Sequence, residues 1–228
     1  RGGRIVNTGF QSVVDTFDVF LAAVRDTLVM TLVSLVVAGV IGLALGLALY
    51  ATRPGNLLGS RAAYTVLNLV VNIVRPIPFV IFLAAIAPLS RVAVQTTIGV
   101  PAVTFAISLA ASFAVSRIVE QNLLAVDPGV VEAARAAGAH PLAILFTVLI
   151  PEGLGPLILG YTFIFVGIVD MTAQGALIGG GGIGEYAISF GSQRYNWWIV
   201  YVSVAAIVVI VQLGQFLGNR LARATLRR

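Results

Sequence analysis

The sequence has no cysteine and no lysine, and charged residues of either sign are few. Without cysteine there is no disulfide, thiolate nucleophile or sulfur-ligated metal, and without lysine there is neither a phosphate-loop lysine nor a Schiff base. Charged residues make up 10% of the chain, whereas a soluble domain has about 25%. Hydrophobic residues make up 59%, and the mean hydropathy is +1.01. This composition excludes an ordinary soluble protein and predicts an integral membrane protein.

The net charge of +5 rests on arginine, and the distribution of the arginines predicts an orientation. In a soluble protein this charge would suggest a nucleic-acid partner, whereas in a membrane protein it indicates arginines on the cytoplasmic side. With the N-terminus outside, eight arginines lie in cytoplasmic segments and five in outer segments, and four of the eight cluster at the C-terminus. We therefore expect the N-terminus outside, the C-terminus in the cytoplasm, and no nucleic-acid partner.

Long uncharged runs predict five transmembrane helices, because about 20 apolar residues cross the hydrocarbon core as a helix. The predicted spans cover about 28–50, 62–88, 92–116, 153–177 and 195–219. Residues 1–26 are predicted to precede them as an amphipathic lead-in at the membrane surface, and residues 27–228 to form a single transmembrane domain. In the first span, Gly42 and Gly46 have a spacing that lets a second helix approach closely, although ordinary glycine usage explains it equally well. The predicted fold class is an all-α integral membrane protein.

One polar segment interrupts the apolar chain, and it reads EAARAAGAHP from Glu132 to Pro141. Before it, Asp127-Pro128 predicts a helix start, with an N-cap acceptor followed by proline at the first helical position. Val130 to Ala137 is then a short helix, Gly138 stands where a left-handed cap is expected, and Pro141 starts a second helix. Small alanines would let this helix enter a cleft on another protein. A plain surface helix between two spans is the alternative.

The order of residues in this segment resembles the EAA loop of ABC-importer permeases. Glu132-Ala133-Ala134 is followed after three residues by Gly138, and after nine more by Val148-Leu149-Ile150-Pro151. The resemblance implies that 127–151 is a cytoplasmic loop between the third and fourth spans, whose coupling helix docks on an ATP-hydrolysing subunit. The residues assigned to this coupling are Glu132, Ala133, Ala134, Arg135, Gly138, His140 and Pro151. For His140, the only histidine, a helix-capping or interface role is expected rather than catalysis.

The resemblance extends over nearly the whole chain from about Thr27 and is strongest to the methionine-importer permeases. The matching segments are TRPG at Thr52–Gly55, NIVRPIPFVIFL at Asn72–Leu83, and GGGGIGEYAISFGSQRY at Gly179–Tyr195. Five helices with the N-terminus outside are also expected in that branch of the family. The stretch Val169–Ile178 departs from the branch's usual tyrosine-serine-alanine-methionine segment, so methionine, another small amino acid and an amphipathic solute all remain candidate substrates.

What the resemblance implies about function is a non-catalytic permease subunit of an ATP-driven importer, in the cytoplasmic (inner) membrane of a prokaryote. The chain itself would bind no cofactor, while ATP and Mg²⁺ would bind to the partner ATPase. The expected partners are a second copy of the chain, two ATP-binding subunits, an extracytoplasmic substrate-binding protein or lipoprotein, a small amino acid, and membrane lipid.

Polar residues within the predicted spans are candidates for the translocation path. Arg75 lies mid-span, where a charge costs about 2.5–3.5 kcal/mol on insertion scales, and Pro76 and Pro78 remove backbone donors beside it. These residues form either a helix break that lines the path or a structural ion pair that shapes a kink. Asp170, the only acid within a predicted span, would pair with Arg75 or meet the ammonium group of a substrate. Met171 beside it is included in the predicted path.

The glycine-rich outer segment is not a nucleotide-binding loop, because no strand precedes it and no Gly-Lys-Ser/Thr follows it. A hinge near an outer gate is the predicted role, since glycine tolerates large changes in backbone conformation. The predicted hinge residues are Gly179, Gly180, Gly181, Gly182 and Gly184.

Two other classes of protein fit the sequence less well. A self-contained secondary transporter or channel commonly has inverted repeats and several buried ionisable groups, whereas the predicted spans are odd in number and contain only Arg75 and Asp170. An intramembrane enzyme needs paired aspartates, a serine–histidine set or a metal cluster, and no predicted span contains one. The favoured function is therefore a permease driven by ATP hydrolysis on another chain, and the alternative is an ATP-independent transporter or channel.

Overall fold

The computed structural model describes Gly9 and residues 11–226, and this part of the chain is helical with no strand. The helices are α1 Gln11–Asp15, α2 Phe17–Thr52, α3 Arg61–Val74, α4 Phe79–Ala85, α5 Ala87–Val94, α6 Gly99–Leu124, α7 Pro128–Ala136, α8 Pro141–Ile144, α9 Ile150–Gln174, α10 Gly182–Tyr186 and α11 Trp197–Leu226. A π-helical turn, Leu145–Leu149, joins α8 to α9, and a 3₁₀ turn, Gly175–Ile178, follows α9.

Four helical stretches are long and apolar enough to cross a membrane within the described residues. They are Phe17–Thr52, Gly99–Leu124, Pro141–Ile178 and Trp197–Thr225. The pair Arg61–Val74 and Phe79–Ala85 passes the same test together, so there are five spans if this pair counts as one. The predicted all-α class is confirmed, and the predicted number of spans lies within this range.

The first long helix begins earlier than the sequence analysis predicted. Residues 17–26, expected to belong to a separate surface lead-in, are the first turns of α2, because no glycine or proline breaks the helix before Gly39. Within the described part of the predicted lead-in, only α1 is a helix separate from α2. Residues 1–8 and Phe10 of the predicted lead-in lie outside the described residues, as do Arg227 and Arg228 of the C-terminal arginine cluster.

The boundaries of the other spans also differ from the prediction, and the fifth covers Trp197–Thr225 rather than 195–219. The predicted second span is interrupted at Arg75–Pro78, where two prolines lack the N–H groups that a helix needs. The third span covers 99–124 rather than 92–116, since left-handed Gln95, with φ of 61°, ends α5 and Gly99, with φ of 80°, begins α6. The fourth starts at Pro141 rather than 153, because the π-helical turn carries the helix on to Pro151.

The described residues belong to two compact units. The first contains the described residues up to Ser34, together with Phe79–Ile107 and Gly167–Leu213. The second contains Leu35–Pro78, Ser108–Val166 and the described residues from Gly214 onward, so it includes α3, α7 and α8.

Close contacts at glycine hold the second unit together. A Cβ atom at Gly42 would lie 2.4 Å from Val115 Cβ, and one at Gly46 would lie 2.5 Å from Val119 Cβ. The small-residue spacing is thus a contact between α2 and α6, as one of the two interpretations of the sequence predicted. Beside it, the Tyr161 hydroxyl donates a hydrogen bond to the backbone carbonyl of residue 39 at 2.7 Å.

Candidate functional site

The predicted coupling segment folds as a short helix whose two ends are both capped. The Asp127 carboxylate accepts a hydrogen bond from the Gly129 amide at 2.8 Å, and Pro128 occupies the first turn of α7. At the other end Gly138 has φ +78°, its amide donates to the Arg135 carbonyl at 2.9 Å, and the Ala139 amide donates to the Ala134 carbonyl at 3.1 Å. This pair of bonds is a Schellman cap. The predicted start and left-handed cap are confirmed, although α7 ends at residue 136 rather than 137.

Most residues of α7 are exposed. Val131 is the one buried residue of this helix, at 8% exposure. Glu132, Ala133 and Arg135 are exposed and Ala134 is half-buried, and within the described residues neither Glu132 nor Arg135 takes part in an ion pair. The helix therefore presents small side chains with one carboxylate and one guanidinium, a surface that another protein can approach closely.

His140 and Pro151 flank the helix that follows. The His140 Nδ1 atom accepts a hydrogen bond from the Leu142 amide at 3.3 Å, so this histidine is the N-cap of α8. The predicted capping role is confirmed. Pro151 is exposed in the first turn of α9, two residues after the end of the π-helical turn. Within the described residues no group of three or more histidine and carboxylate side chains is placed to hold a metal ion.

Arg75 lies at the break between α3 and α4. Its backbone amide donates to the Val71 carbonyl at 3.1 Å and closes α3. The side chains of Arg75, Pro76 and Pro78 are exposed, and within the described residues Arg75 is in no ion pair. The predicted break is therefore present, while its role in a translocation path stays a prediction.

Asp170 lies in the last turns of α9, where the helix remains regular. Its carboxylate is exposed and accepts a hydrogen bond from the Gln174 side-chain amide, one turn further along, at 2.8 Å. The neighbouring Met171 is half-buried. A carboxylate that is exposed and held by a neutral donor keeps acceptor capacity for a cationic group.

The glycine-rich segment is folded tightly within the first unit. Gly179, Gly181 and Gly182 have positive φ, between 63° and 76°. A Cβ atom at Gly180 would lie 2.6 Å from a backbone oxygen, and one at Gly184 would lie 2.5 Å from a backbone carbon. These glycines are positions of close packing in the structure, and the hinge remains a prediction.

Sequence reasoning missed a buried ion cluster in the second unit. It ended the third span at residue 116, whereas α6 continues to residue 124 and buries the Glu120 side chain to 2% exposure. Arg117 Nη1 lies 2.5 Å from Glu120 Oε2, and Arg53 Nη1 lies 3.7 Å from Oε1. Tyr64 from α3 donates its hydroxyl to Oε1 at 3.4 Å. Asp170 is therefore not the only acid in a long helix.

Arg117 of this cluster is also held by residues of α3. Arg117 Nη2 donates to the side-chain oxygens of Asn68 at 2.8 Å and Asn72 at 2.7 Å. The signals available in the sequence were the spacing of Arg117 and Glu120, three residues apart, and of the two asparagines, four residues apart. Such pairs lie on one face of a helix.

These features define a multi-pass helical membrane protein with one short, exposed polar helix, α7. The chain belongs to the family of binding-protein-dependent transport system inner membrane components, whose sequence profile matches residues 42–228. The predicted family, the role as a permease subunit rather than an enzyme, and the inner-membrane location are confirmed.

Individual relatives of known name support the same assignment. The chain is 37% identical over 206 residues to the probable D-methionine transport system permease protein MetI of Vibrio cholerae, which covers 90% of this chain and 92% of that protein. It is 40% identical over 152 residues to the D-methionine transport system permease protein MetI of Escherichia coli K12, covering 67% of this chain and 70% of that protein.

Solved structures show the same fold. An inward-facing structure of the MetNI methionine ABC transporter contains a chain that is 36% identical to this one, with a TM-score of 0.90 over 92% of this chain and 98% of that chain. An amino acid ABC transporter with 21% identity and a TM-score of 0.79 shares the fold.

Proposed function

We propose that this chain is the permease subunit of an ATP-driven methionine importer. The observation that carries the proposal is α7, a helix capped at both ends and exposed along most of its length, in the segment that matches the EAA motif. The substrate is inferred from relatives such as the Vibrio cholerae protein, which is named for D-methionine transport and is matched over 92% of its length.

Energy coupling in this proposal depends on the surface of α7. Ala133 and Ala134 let the helix lie close to a groove of an ATPase subunit, while Glu132 and Arg135 contribute charge at the rim of the contact. The turn at Gly138 and the His140 cap hold the following helix, so that a movement of α7 is passed into α9. ATP and Mg²⁺ bind on the partner, and this chain supplies the mechanical element.

The assembly we propose contains two copies of this chain, because one set of five spans forms only one wall of a path. Two ATP-binding subunits contact the two copies of α7 from the cytoplasm, and a substrate-binding protein or lipoprotein delivers the amino acid from outside. The N-terminus is then outside, as the distribution of arginine favours, and lipid surrounds the exposed apolar faces of the helices.

The translocation path in this proposal is lined by the break at Arg75–Pro78 and by Asp170 and Met171. The exposed Asp170 carboxylate suits the ammonium group of an amino acid, since its present partner is the neutral amide of Gln174. Pro76 and Pro78 leave nearby carbonyl groups without helical donors, and such groups are tolerated where they face a cavity. Gly179, Gly180, Gly181, Gly182 and Gly184 are the proposed hinge of the outer gate.

The proposal is tested by uptake into proteoliposomes that contain this chain with its ATPase and binding-protein partners. Labelled L-methionine and D-methionine are compared with labelled leucine, with and without ATP inside the vesicles. We expect accumulation of at least one methionine enantiomer only with ATP. Accumulation of the amino acid without ATP would favour the alternative of a secondary transporter, and equal uptake of leucine would contradict the substrate assignment.

A further inference from the structure

The buried ion cluster of Arg53, Arg117 and Glu120 joins three elements of the second unit. Glu120 Oε2 faces Arg117 on its own helix, whereas Oε1 faces Arg53 after the end of α2 and Tyr64 on α3. The carboxylate is therefore shared by α6, by α3 and by the turn that follows α2. With Glu120 at 2% exposure and Arg117 at 13%, their pair is a contact of the interior, unlike a surface pair that water screens. Arg53, at 43%, lies at the edge of this cluster.

Stabilisation of the fold is by itself a weak explanation for a buried carboxylate such as that of Glu120. Removing a carboxylate and a guanidinium from water costs free energy that their attraction offsets only partly, so buried ion pairs often contribute little to folding. What a shared carboxylate does provide is a fixed arrangement of the elements that contact it. Here one of those elements, α6, leads directly into the segment that carries α7.

The segment that connects Glu120 to α7 is short and is held by backbone hydrogen bonds. α6 ends four residues after Glu120, at Leu124, and α7 begins at Pro128. Two of the three residues between them are hydrogen-bonded back to α6. The Ala125 amide donates to the Asn122 carbonyl at 3.3 Å and the Val126 amide to the Leu123 carbonyl at 3.4 Å. A displacement of α7 is therefore expected to move the end of α6 with it.

We infer that Glu120 is a positioning residue for energy coupling, which transmits movement of α7 to α3 and to the turn after α2 through Tyr64 and Arg53. The inference rests on the proposed coupling role of α7. It adds a second route by which that movement reaches the membrane helices, beside the direct route through α8 and α9.

The most informative variant is Arg53→Gln, because this arm of the cluster is the most exposed, at 43% for its side chain. Glu120 then keeps Arg117 and Tyr64 as partners, so the interior keeps a paired carboxylate. Arg61→Gln is the matched control: Arg61 is an exposed arginine at the start of α3, in no ion pair within the described residues, and it loses the same charge on the same predicted side of the membrane.

The measurement is made on the assembled transporter in proteoliposomes, and it records methionine uptake together with ATP hydrolysis. We expect Arg53→Gln to lower the number of methionine molecules transported per ATP by about fivefold, the lower end of a coupling between sites. Tyr64→Phe should lower the same ratio less, and Arg61→Gln should leave it unchanged. A cluster that only stabilises the fold would lower the amount of assembled transporter and leave the ratio intact, and that result would overturn the inference.

A second readout keeps this test separate from the choice of substrate. Stimulation of ATP hydrolysis by the binding protein needs coupling through the permease and no knowledge of the transported molecule. We expect Arg53→Gln to reduce this stimulation and Arg61→Gln to retain it. If the parent transporter shows stimulation without methionine uptake, the substrate assignment fails while the stimulation still decides the inference. If no ATPase associates with the parent chain, the proposed function and this inference both fail.

Discussion

The Thr27 hydroxyl oxygen accepts a hydrogen bond from the backbone amide of Ile183 at 2.8 Å, and both residues are buried. This bond fastens the start of α10, in the glycine-rich segment, to α2 within the first unit. The Ile183 amide has no access to water at this position, so the loss of its acceptor costs free energy.

Thr27→Val should therefore destabilise the protein by about 1–3 kcal/mol, because valine keeps the shape of threonine but leaves the Ile183 amide without an acceptor. Thr27→Ser retains the hydroxyl and should lose less. Thermal unfolding in detergent measures the difference. Equal melting temperatures for the valine and serine variants would show that this bond does not hold the segment.

Gly42→Ala should destabilise the contact between α2 and α6, because the added methyl group would lie 2.4 Å from Val115 Cβ. Overpacking of this kind costs about 1–3 kcal/mol. Gly167→Ala is the control, since a Cβ atom at Gly167 has no atom within 4 Å and alanine favours a helix. We expect a lower melting temperature for the first variant and an unchanged or higher one for the second; the reverse order would contradict the packing.

His140→Ala should weaken the start of α8, because it removes the acceptor for the Leu142 amide. Loss of a side-chain N-cap costs about 1 kcal/mol, and His140→Asn, which supplies another acceptor, should retain much of it. Hydrogen exchange at the Leu142 amide reports this directly. Protection that is equal in the parent and the alanine variant would mean that the cap is not formed in the membrane.

Asp170→Asn should abolish methionine uptake while leaving assembly with the partner subunits intact. The change keeps the size of the side chain and removes the charge proposed to meet an ammonium group. Glu152→Gln, at another exposed carboxylate in the same helix, is the control and should keep uptake. Unchanged transport by the Asp170 variant would remove Asp170 from the path.

Local features of the site could be predicted from sequence, whereas contacts between distant segments could not. Asp127, Pro128 and Gly138 specify the ends of α7 through bonds to residues within a few positions, so their pattern is visible in the sequence. One ion-pair partner of Glu120 is Arg53, which lies far away in the chain. No local periodicity shows that a carboxylate near the end of an apolar run has partners from another helix and from the turn after α2.

The ends of helices were predicted least well where no proline or glycine interrupts the helix. The start of α2 at Phe17 was placed too late because the charged residues Asp18, Arg25 and Asp26 resemble a surface helix, although nothing in 17–26 interrupts the backbone. Pro76 and Pro78 have the opposite effect. They indicated a disturbance in the second span, and the structure has a complete break there.

The docking of α7 on an ATPase is tested most directly by co-purification of the chain from its native membrane, with mass spectrometry of the proteins that accompany it. Gly138→Asp places a carboxylate on the proposed docking surface. Gly55→Asp is the matched control, since both glycines have positive φ, of 78° and 86°, and open space where a Cβ atom would lie. We predict that an ATPase subunit accompanies the parent chain and the Gly55 variant and is lost from the Gly138 variant. Retention of the ATPase by the Gly138 variant, or its absence from the parent sample, would contradict the docking of α7 on an ATPase.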